Sequence, residues 1–154
     1  MSNSRDVPFD TTILVRDTCL CLHVQRAART LSRLFDEAFQ PLGLTSGQFS
    51  LLNALNRHEP PAIGPVAQLL AMDRTTLTAA LKPLERDGLV AVKVDPNDRR
   101  SRLLHLTDKG RKVLASAVPI WCDLHGAIEA RLSELEPDSL RGALNSLSHA
   151  KPST

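Results

Sequence analysis

The sequence predicts a mainly α-helical protein with one β-hairpin set among its helices, and three observations carry that reading. Apolar residues recur at spacings of three and four over most of the length. Aromatics are scarce, four Phe, one Trp and no Tyr among 154 residues. The Leu- and Ala-rich remainder loses little rotamer freedom in a helix. One stretch alone, VAVKVDPNDRRSRLLHL from Val90 to Leu106, alternates with the period of a strand on both sides of a Pro-Asn turn. A chain of this length is most economically one compact protomer with a proper core.

Taken in order, residues 1–12 read as a loose, flexible lead-in. From Asp17 to Gln40 the positions Leu20, Val24, Ala27, Leu31, Leu34, Phe35 and Phe39 trace one long amphipathic helix, ended by Pro41 and Gly43. Thr45 and Gln48 have the capping-box spacing and open a second helix. In the connector HEPPAI, Ile63 is the candidate for a tiny strand; Gly64 as N-cap and Pro65 as first helical residue then start a short third helix. Asp73 caps a fourth, with Leu77, Leu81 and Leu84 inward and Gly88 as its stop. Pro83 removes the hydrogen bond to the Ala79 carbonyl and predicts a bend there. After the hairpin, Thr107 caps a long helix over 108–133, which Pro119 should kink, and a last helix over 138–149 carries Leu140, Leu144 and Leu147. The resulting division is lead-in 1–12, N-terminal helix 13–44, central region 45–107 and C-terminal helices 108–154.

Helix, turn, helix and two-stranded hairpin in that order make a winged helix-turn-helix, flanked by long N- and C-terminal dimerisation helices. The dimerisation reading rests on apolar stripes longer than a small three-helix core covers. The alternative is that these helices pack on their own winged core. Net charge is only +2, but it is segregated. From Arg99 to Lys112 six bases face one acid, Asp108, whereas Glu129, Glu134, Glu136 and Asp138 crowd the later helices. One end therefore suits an anion. A helix fits the major groove of duplex DNA, and the outer face of the fourth helix carries Arg74, Thr75, Thr76, Thr78, Ala79 and Lys82. The wing brings Arg99, Arg100 and Arg102 to phosphates or the minor groove, and Asp98 is expected to hold an Arg in position. A hairpin charged only for solvation is the competing account.

The stretch VAQLLAMDRTTLTAALKPLERDGLVAVKVDPNDRRSRLLHLTDKGRKVL resembles the core of the MarR (multiple antibiotic resistance regulator) family of bacterial transcription factors. LERDGLV, the DPNDRRS wing and LTDKGRKVL carry the resemblance, which extends more weakly from about Asp17 to the end. It implies an obligate homodimer on double-stranded, palindromic operator DNA, with repression the commoner habit. The first helix and the two C-terminal helices would form the dimer interface, and the family's wing Asp and Arg fall on Asp98 and Arg100. Pro83 departs from the family's usual run.

Regulation is expected from a small aromatic effector or an oxidant. Effector pockets in the family lie between dimer helices and winged domain; His23, Arg26, Phe49 and Trp121 are candidate linings, with Phe49 and Trp121 also readable as plain core. Some members sense organic hydroperoxides through a cysteine near the start of the first helix. Cys21 resembles it in its spacing to LGLT, with Cys122 as a resolving thiol, although those sensors use tyrosines that this chain lacks. In the C-x-C-x-H of Cys19, Cys21 and His23, a helix puts Cys19 and His23 on one face and Cys21 elsewhere, a poor metal site. No metal or other cofactor is expected. Catalytic motifs are missing, and Cys122 beside His125 has no visible oxyanion device, so an enzyme is not expected. A helical protein-interaction module would leave the Arg-rich wing without a purpose. The start lacks a basic n-region, no run approaches the roughly 20 apolar residues of a span, and three cysteines make no disulfide framework. The expectation is a cytoplasmic protein with no membrane partner.

Overall fold

The computed structural model describes residues 6–149, so the first five residues of the expected lead-in and the last five of the C-terminal region lie outside the described residues. The described chain runs α1 (Phe9–Thr18), α2 (Leu20–Phe39), a 3-10 turn (Gln40–Leu42), α3 (Ser46–Leu55), α4 (Ile63–Leu69), α5 (Arg74–Arg86), β1 (Val90–Asp95), β2 (Asp98–Leu106), α6 (Asp108–Glu129) and α7 (Pro137–Ser148). Two compact units result, one ending at Leu34 and the other beginning at Phe35.

In the first unit, two expectations are corrected. The lead-in is helical from Phe9, because Pro8 supplies a non-helical entry and Asp10 sits in the first turn, where backbone N–H groups favour an acid. The long helix expected from Asp17 is also broken. Cys19 leaves helical geometry at ψ 107°, its N–H closing α1 on the Val15 carbonyl. Its own carbonyl then accepts both the backbone N–H and the ring Nδ1–H of His23, at 3.1 and 2.8 Å, and this pair of bonds stabilises the break. No α1 residue is buried, and Phe9, Leu14, Val15 and Leu20 stay open.

The second unit holds the core. Phe39, Leu52, Val66, Leu77, Leu81, Leu84 and Leu104 are its largest fully buried side chains. Phe35, Phe39, Phe49, Trp121 and His125 stack in series, with adjacent ring centroids between 4.4 and 6.5 Å. The capping box at Thr45 and Gln48 forms, with each backbone N–H bonded to the other's side chain. Helix α4 starts at Ile63 with Ala62 as N-cap, ahead of the expected Gly64. The reason is that Ala62, not Ile63, makes the strand-like contact, bridging to Leu103 while Pro61 accepts the Leu104 N–H at 2.8 Å. Ile63 is then free to pack on the core from the first turn. Helix α5 runs on through Pro83 to Arg86, because Leu81 and Leu84 on either side are locked in the core, and α6 likewise runs through Pro119. The turn between α4 and α5 passes through Ala71 at φ 51°, the one non-glycine in the left-handed region among the described residues.

A single joint ties α5, the hairpin and α6 together. The Thr107 hydroxyl lies 2.7 and 3.0 Å from the Gly88 and Leu89 carbonyls and accepts the Gly110 N–H at 3.0 Å. Lys109 reaches back to the Asp87 carbonyl at 2.7 Å. Gly110 is buried there, and a Cβ on it would overlap the Leu89 carbonyl oxygen and lie 2.7 Å from Leu106 Cδ1. At the start of α5, Asp73 accepts the Thr76 N–H at 2.7 Å and the Thr76 hydroxyl at 2.8 Å. These bonds hold the Asp73 carboxyl below its ordinary range.

Two outcomes are expected. Gly110→Ala should destabilise the protein by about 1–3 kcal/mol or more, since the overlap is with backbone that cannot move aside, and urea unfolding measures it. A lowered Asp73 pKa means its stabilisation is complete above the unfolded carboxylate range and is lost as pH falls through the folded value. Asp73→Asn keeps a capping acceptor without the titration, so its melting temperature should fall less steeply than the parent's between about pH 5 and pH 2.

Candidate nucleic-acid interface

The surface built from α5 and the hairpin gathers most of the residues singled out for DNA. On α5 the burial of Leu77, Leu81 and Leu84 turns Thr75, Thr78, Ala79 and Lys82 to the opposite side, where with Arg74 they line a shallow groove of about 320 Å³. All five side chains are exposed. Three hydroxyls on this helix are not equivalent. Thr76 is committed to the Asp73 cap, and Thr78 donates to the Arg74 carbonyl at 2.8 Å, while Thr75 has no side-chain partner among the described residues.

The hairpin pairs Val90 with Leu106, Val92 with Leu104 and Val94 with Arg102, then shifts register so that Asp95 faces Asp98. Arg99, Arg100 and Ser101 are therefore left over on one strand, a bulge that throws two guanidiniums outward. The tip is braced from inside, with Asp95 accepting the Asn97 N–H at 2.8 Å and Asp98 accepting the Arg100 N–H at 3.0 Å. Asp98 thus holds Arg100 by its backbone. The short carboxylate reaches the N–H two residues on, so the arginine is held through its main chain and its guanidinium is left outside the bond. Arg102 folds over its own strand, donating to the Arg99 and Ser101 carbonyls at 3.1 and 3.2 Å. Neither Arg99 nor Arg100 has an ion-pair partner among the described residues, whereas Arg111 farther along is paired with Asp108 at 3.1 Å.

Between helix and wing lies a cleft of about 300 Å³, lined by Gly64, Arg74, Thr78, Arg100, Ser101 and Arg102 among others. It joins cations from two elements across the start of α4. Arg74 reaches it by lying across Gly64, whose hypothetical Cβ would meet Arg74 Nη2 at 3.0 Å. Sequence reasoning missed Gly64 and Ser101 as parts of this surface; a glycine in the first turn of a short helix was the only available signal for the first.

The proposed sensor residues have a different setting. Cys21 and Cys122 are exposed and Cys19 half-exposed. The break at Cys19 places Cys21 in the first turn of α2, where Gln25 Nε2 donates to its sulfur at 3.3 Å. His23 is bonded to Cys19 and Arg26 is exposed on α2, in one compact unit; Phe49 and Trp121 belong to the aromatic stack of the other. A cleft of about 750 Å³ beside the end of α7 is lined by residues including Arg57, Gln68, Leu70, Asn145 and His149, and by none of these four. Among the described residues no group of three or more His, Cys, Asp or Glu could hold a metal, and no helix is long and apolar enough to cross a membrane.

Comparison with known proteins agrees with this geometry. A model of the MarR family matches residues 42–101, from the end of the 3-10 turn to the wing bulge. The transcriptional activatory protein BadR of Rhodopseudomonas palustris is 37% identical over 97 residues, covering 61% of this chain and 55% of BadR. The organic hydroperoxide resistance transcriptional regulator of Bacillus subtilis is 31% identical over 112 residues, covering 73% of this chain and 75% of that regulator. Among solved structures, the M. tuberculosis transcriptional regulator MosR in complex with DNA superimposes with a TM-score of 0.77 at 35% identity, over 84% of this chain and 93% of MosR. These relatives are named as regulators of transcription and not as enzymes. The winged helix-turn-helix, its braced Arg-bearing wing and these matches together establish that the chain belongs to the MarR family of transcriptional regulators.

Proposed function

We propose that this chain is a sequence-specific double-stranded-DNA-binding repressor that acts as a homodimer on a palindromic operator and leaves it in response to a small molecule or oxidant. The observation that carries the reading is the cleft in which Arg74 and Thr78 of α5 meet Arg100 and Arg102 of the wing. Helix α5 lies in the major groove, and the bulge carries Arg99 and Arg100 to the flanking phosphates or minor groove. The relative solved with DNA has this fold.

Dimerisation is supported within each unit by apolar side chains left in the open. They are Phe9, Leu14, Val15, Leu20, Val24 and Leu31 on α1 and α2, and separately Val118, Leu132, Leu135, Leu144 and Leu147 along and after α6. Such open apolar side chains are stabilised by a second copy. Two-fold symmetry would set the two α5 helices about 34–36 Å apart, one turn of DNA. A dimer seated in two successive grooves excludes other proteins from the site, and so represses.

An oxidant signal is favoured over other inducers by one observation, the position of Cys21. It is exposed, in the first turn of α2, with an amide donor on its sulfur.

Arg100→Ala should weaken binding to a selected operator about tenfold and flatten the log–log salt dependence by about 1, read by fluorescence anisotropy at several salt concentrations. An unchanged affinity and slope would remove the wing from the interface. Organic hydroperoxide should release the parent from DNA and leave Cys21→Ser bound. Equal release of both proteins would rule out Cys21 as the sensor.

A further inference from the structure

Positions 75, 78, 79 and 82 make a single stripe along α5, opposite its buried leucines, and the chemistry of the stripe is unusual for a DNA-reading surface. It holds no Asn, Gln, Asp or Glu, the side chains that pair bidentately with adenine or accept from cytosine. Its middle is apolar. Ala79 offers a methyl. Thr78 has turned its hydroxyl back onto the Arg74 carbonyl, so what it presents outward is its own methyl. Thr75, one turn earlier, adds another methyl and the one hydroxyl of the three that has no partner among the described residues. Polar groups stand only at the two ends, Lys82 at one and Arg74 at the other, and Arg74 is drawn across Gly64 toward the wing.

From this arrangement we infer that α5 reads its operator chiefly through thymine C5-methyl groups. These seat against the methyls of Thr75, Thr78 and Ala79, and Thr75 and Lys82 supply what hydrogen bonding there is to base edges. The inference rests on the reading of α5 as the groove helix and deepens it by naming what the helix recognises. In the major groove only thymine carries a methyl at its edge, so an apolar patch of this size discriminates T·A from C·G by contact alone. Burying one methyl contributes about a fourfold change in affinity at roughly 0.8 kcal/mol per group. Several such contacts in each of two half-sites suffice for a defined sequence. Because the contact involves no charge, it adds specificity without adding to the salt dependence set by Arg99, Arg100 and the other phosphate-facing cations.

The test replaces thymine by deoxyuridine, which keeps every hydrogen-bonding group and removes only the methyl. Duplexes are first enriched from a random pool with the full-length protein; single T-to-U changes are then scanned through a tight binder by anisotropy titration. Two or more positions per half-site should each lose about fourfold in affinity with an unchanged salt slope. Thr75→Ser and Thr78→Ser, which keep the hydroxyls and drop the methyls, should weaken the parent duplex and shrink the uracil penalty at the facing position. If uracil duplexes bind as tightly as their thymine parents, the inference is overturned while DNA binding stands. If no duplex is enriched at all, both the inference and the reading beneath it fall.

Discussion

The Thr107 hydroxyl, placed between the Gly88 and Leu89 carbonyls and the Gly110 N–H, is the contact on which the surface proposed to face DNA depends. A helix end leaves carbonyls without partners, and the start of a helix leaves N–H groups in the same state. Here the chain just past the end of α5 and the start of α6 are joined through one side chain, nineteen residues from Gly88 along the sequence but adjacent in space. The hairpin leaves and returns at this joint, so its direction relative to α5 is set where its two strands begin and end. Gly88 at φ 73° lets α5 turn into β1, and Gly110 lets α6 approach the Leu89 backbone closely. The shared motifs LERDGLV and LTDKG are the two halves of this joint.

With the wing's base fixed, its tip can afford to carry repelling charge. Arg99 and Arg100 sit on a bulge whose backbone is held by Asp95 and Asp98, and Arg102 is turned inward onto carbonyls. The carboxylates therefore organise the loop without neutralising the two outward cations. Two further bases of the same charged stretch are occupied locally, Lys109 on the Asp87 carbonyl and Arg111 on Asp108. At the two ends of the acidic stretch after it, Arg141 bonds both Glu129 and Asp138 and lowers the Glu129 pKa. Charge segregation that looks continuous in sequence is broken up in space by these local pairs, while Arg99 and Arg100 at the wing tip stay without an ion-pair partner among the described residues.

Local signals made much of this legible. Thr45, Asp73 and Thr107 are caps whose partners lie three residues on, and Gly43 and Gly88 are stops in the left-handed region, so short-range pattern suffices for each. The hairpin and the outer face of α5 follow from periodicity alone. What escaped depends on partners distant in sequence or on conformations that residue type does not announce. The break at Cys19 is stabilised by a His23 ring bond that periodicity ignores. The passage of Arg74 over Gly64 and the register shift that exposes Arg99 and Arg100 are tertiary facts. Ala71 at φ 51° is the clearest case. A left-handed alanine costs about 1–2 kcal/mol, and it is held by the Met72 N–H on the Ala67 carbonyl at 2.9 Å and by the packing of α4 against α5.

The division between wing and helix has a consequence for how such a protein finds its site. A chain of net charge +2 has little long-range attraction for DNA, and on the proposed reading its non-specific hold comes from the few cations the wing and the ends of α5 leave uncompensated. A modest non-specific affinity lowers the background against which an operator must compete, so the specific contacts need not be strong individually. Methyl contacts of a few-fold each are then adequate, provided α5 is held rigidly enough to place all of them at once. That rigidity is what the Asp73 cap, the buried leucines around Pro83 and the Thr107 joint supply. The weak, uncharged readout along α5 and the firm bracing at both its ends are therefore two sides of one physical arrangement.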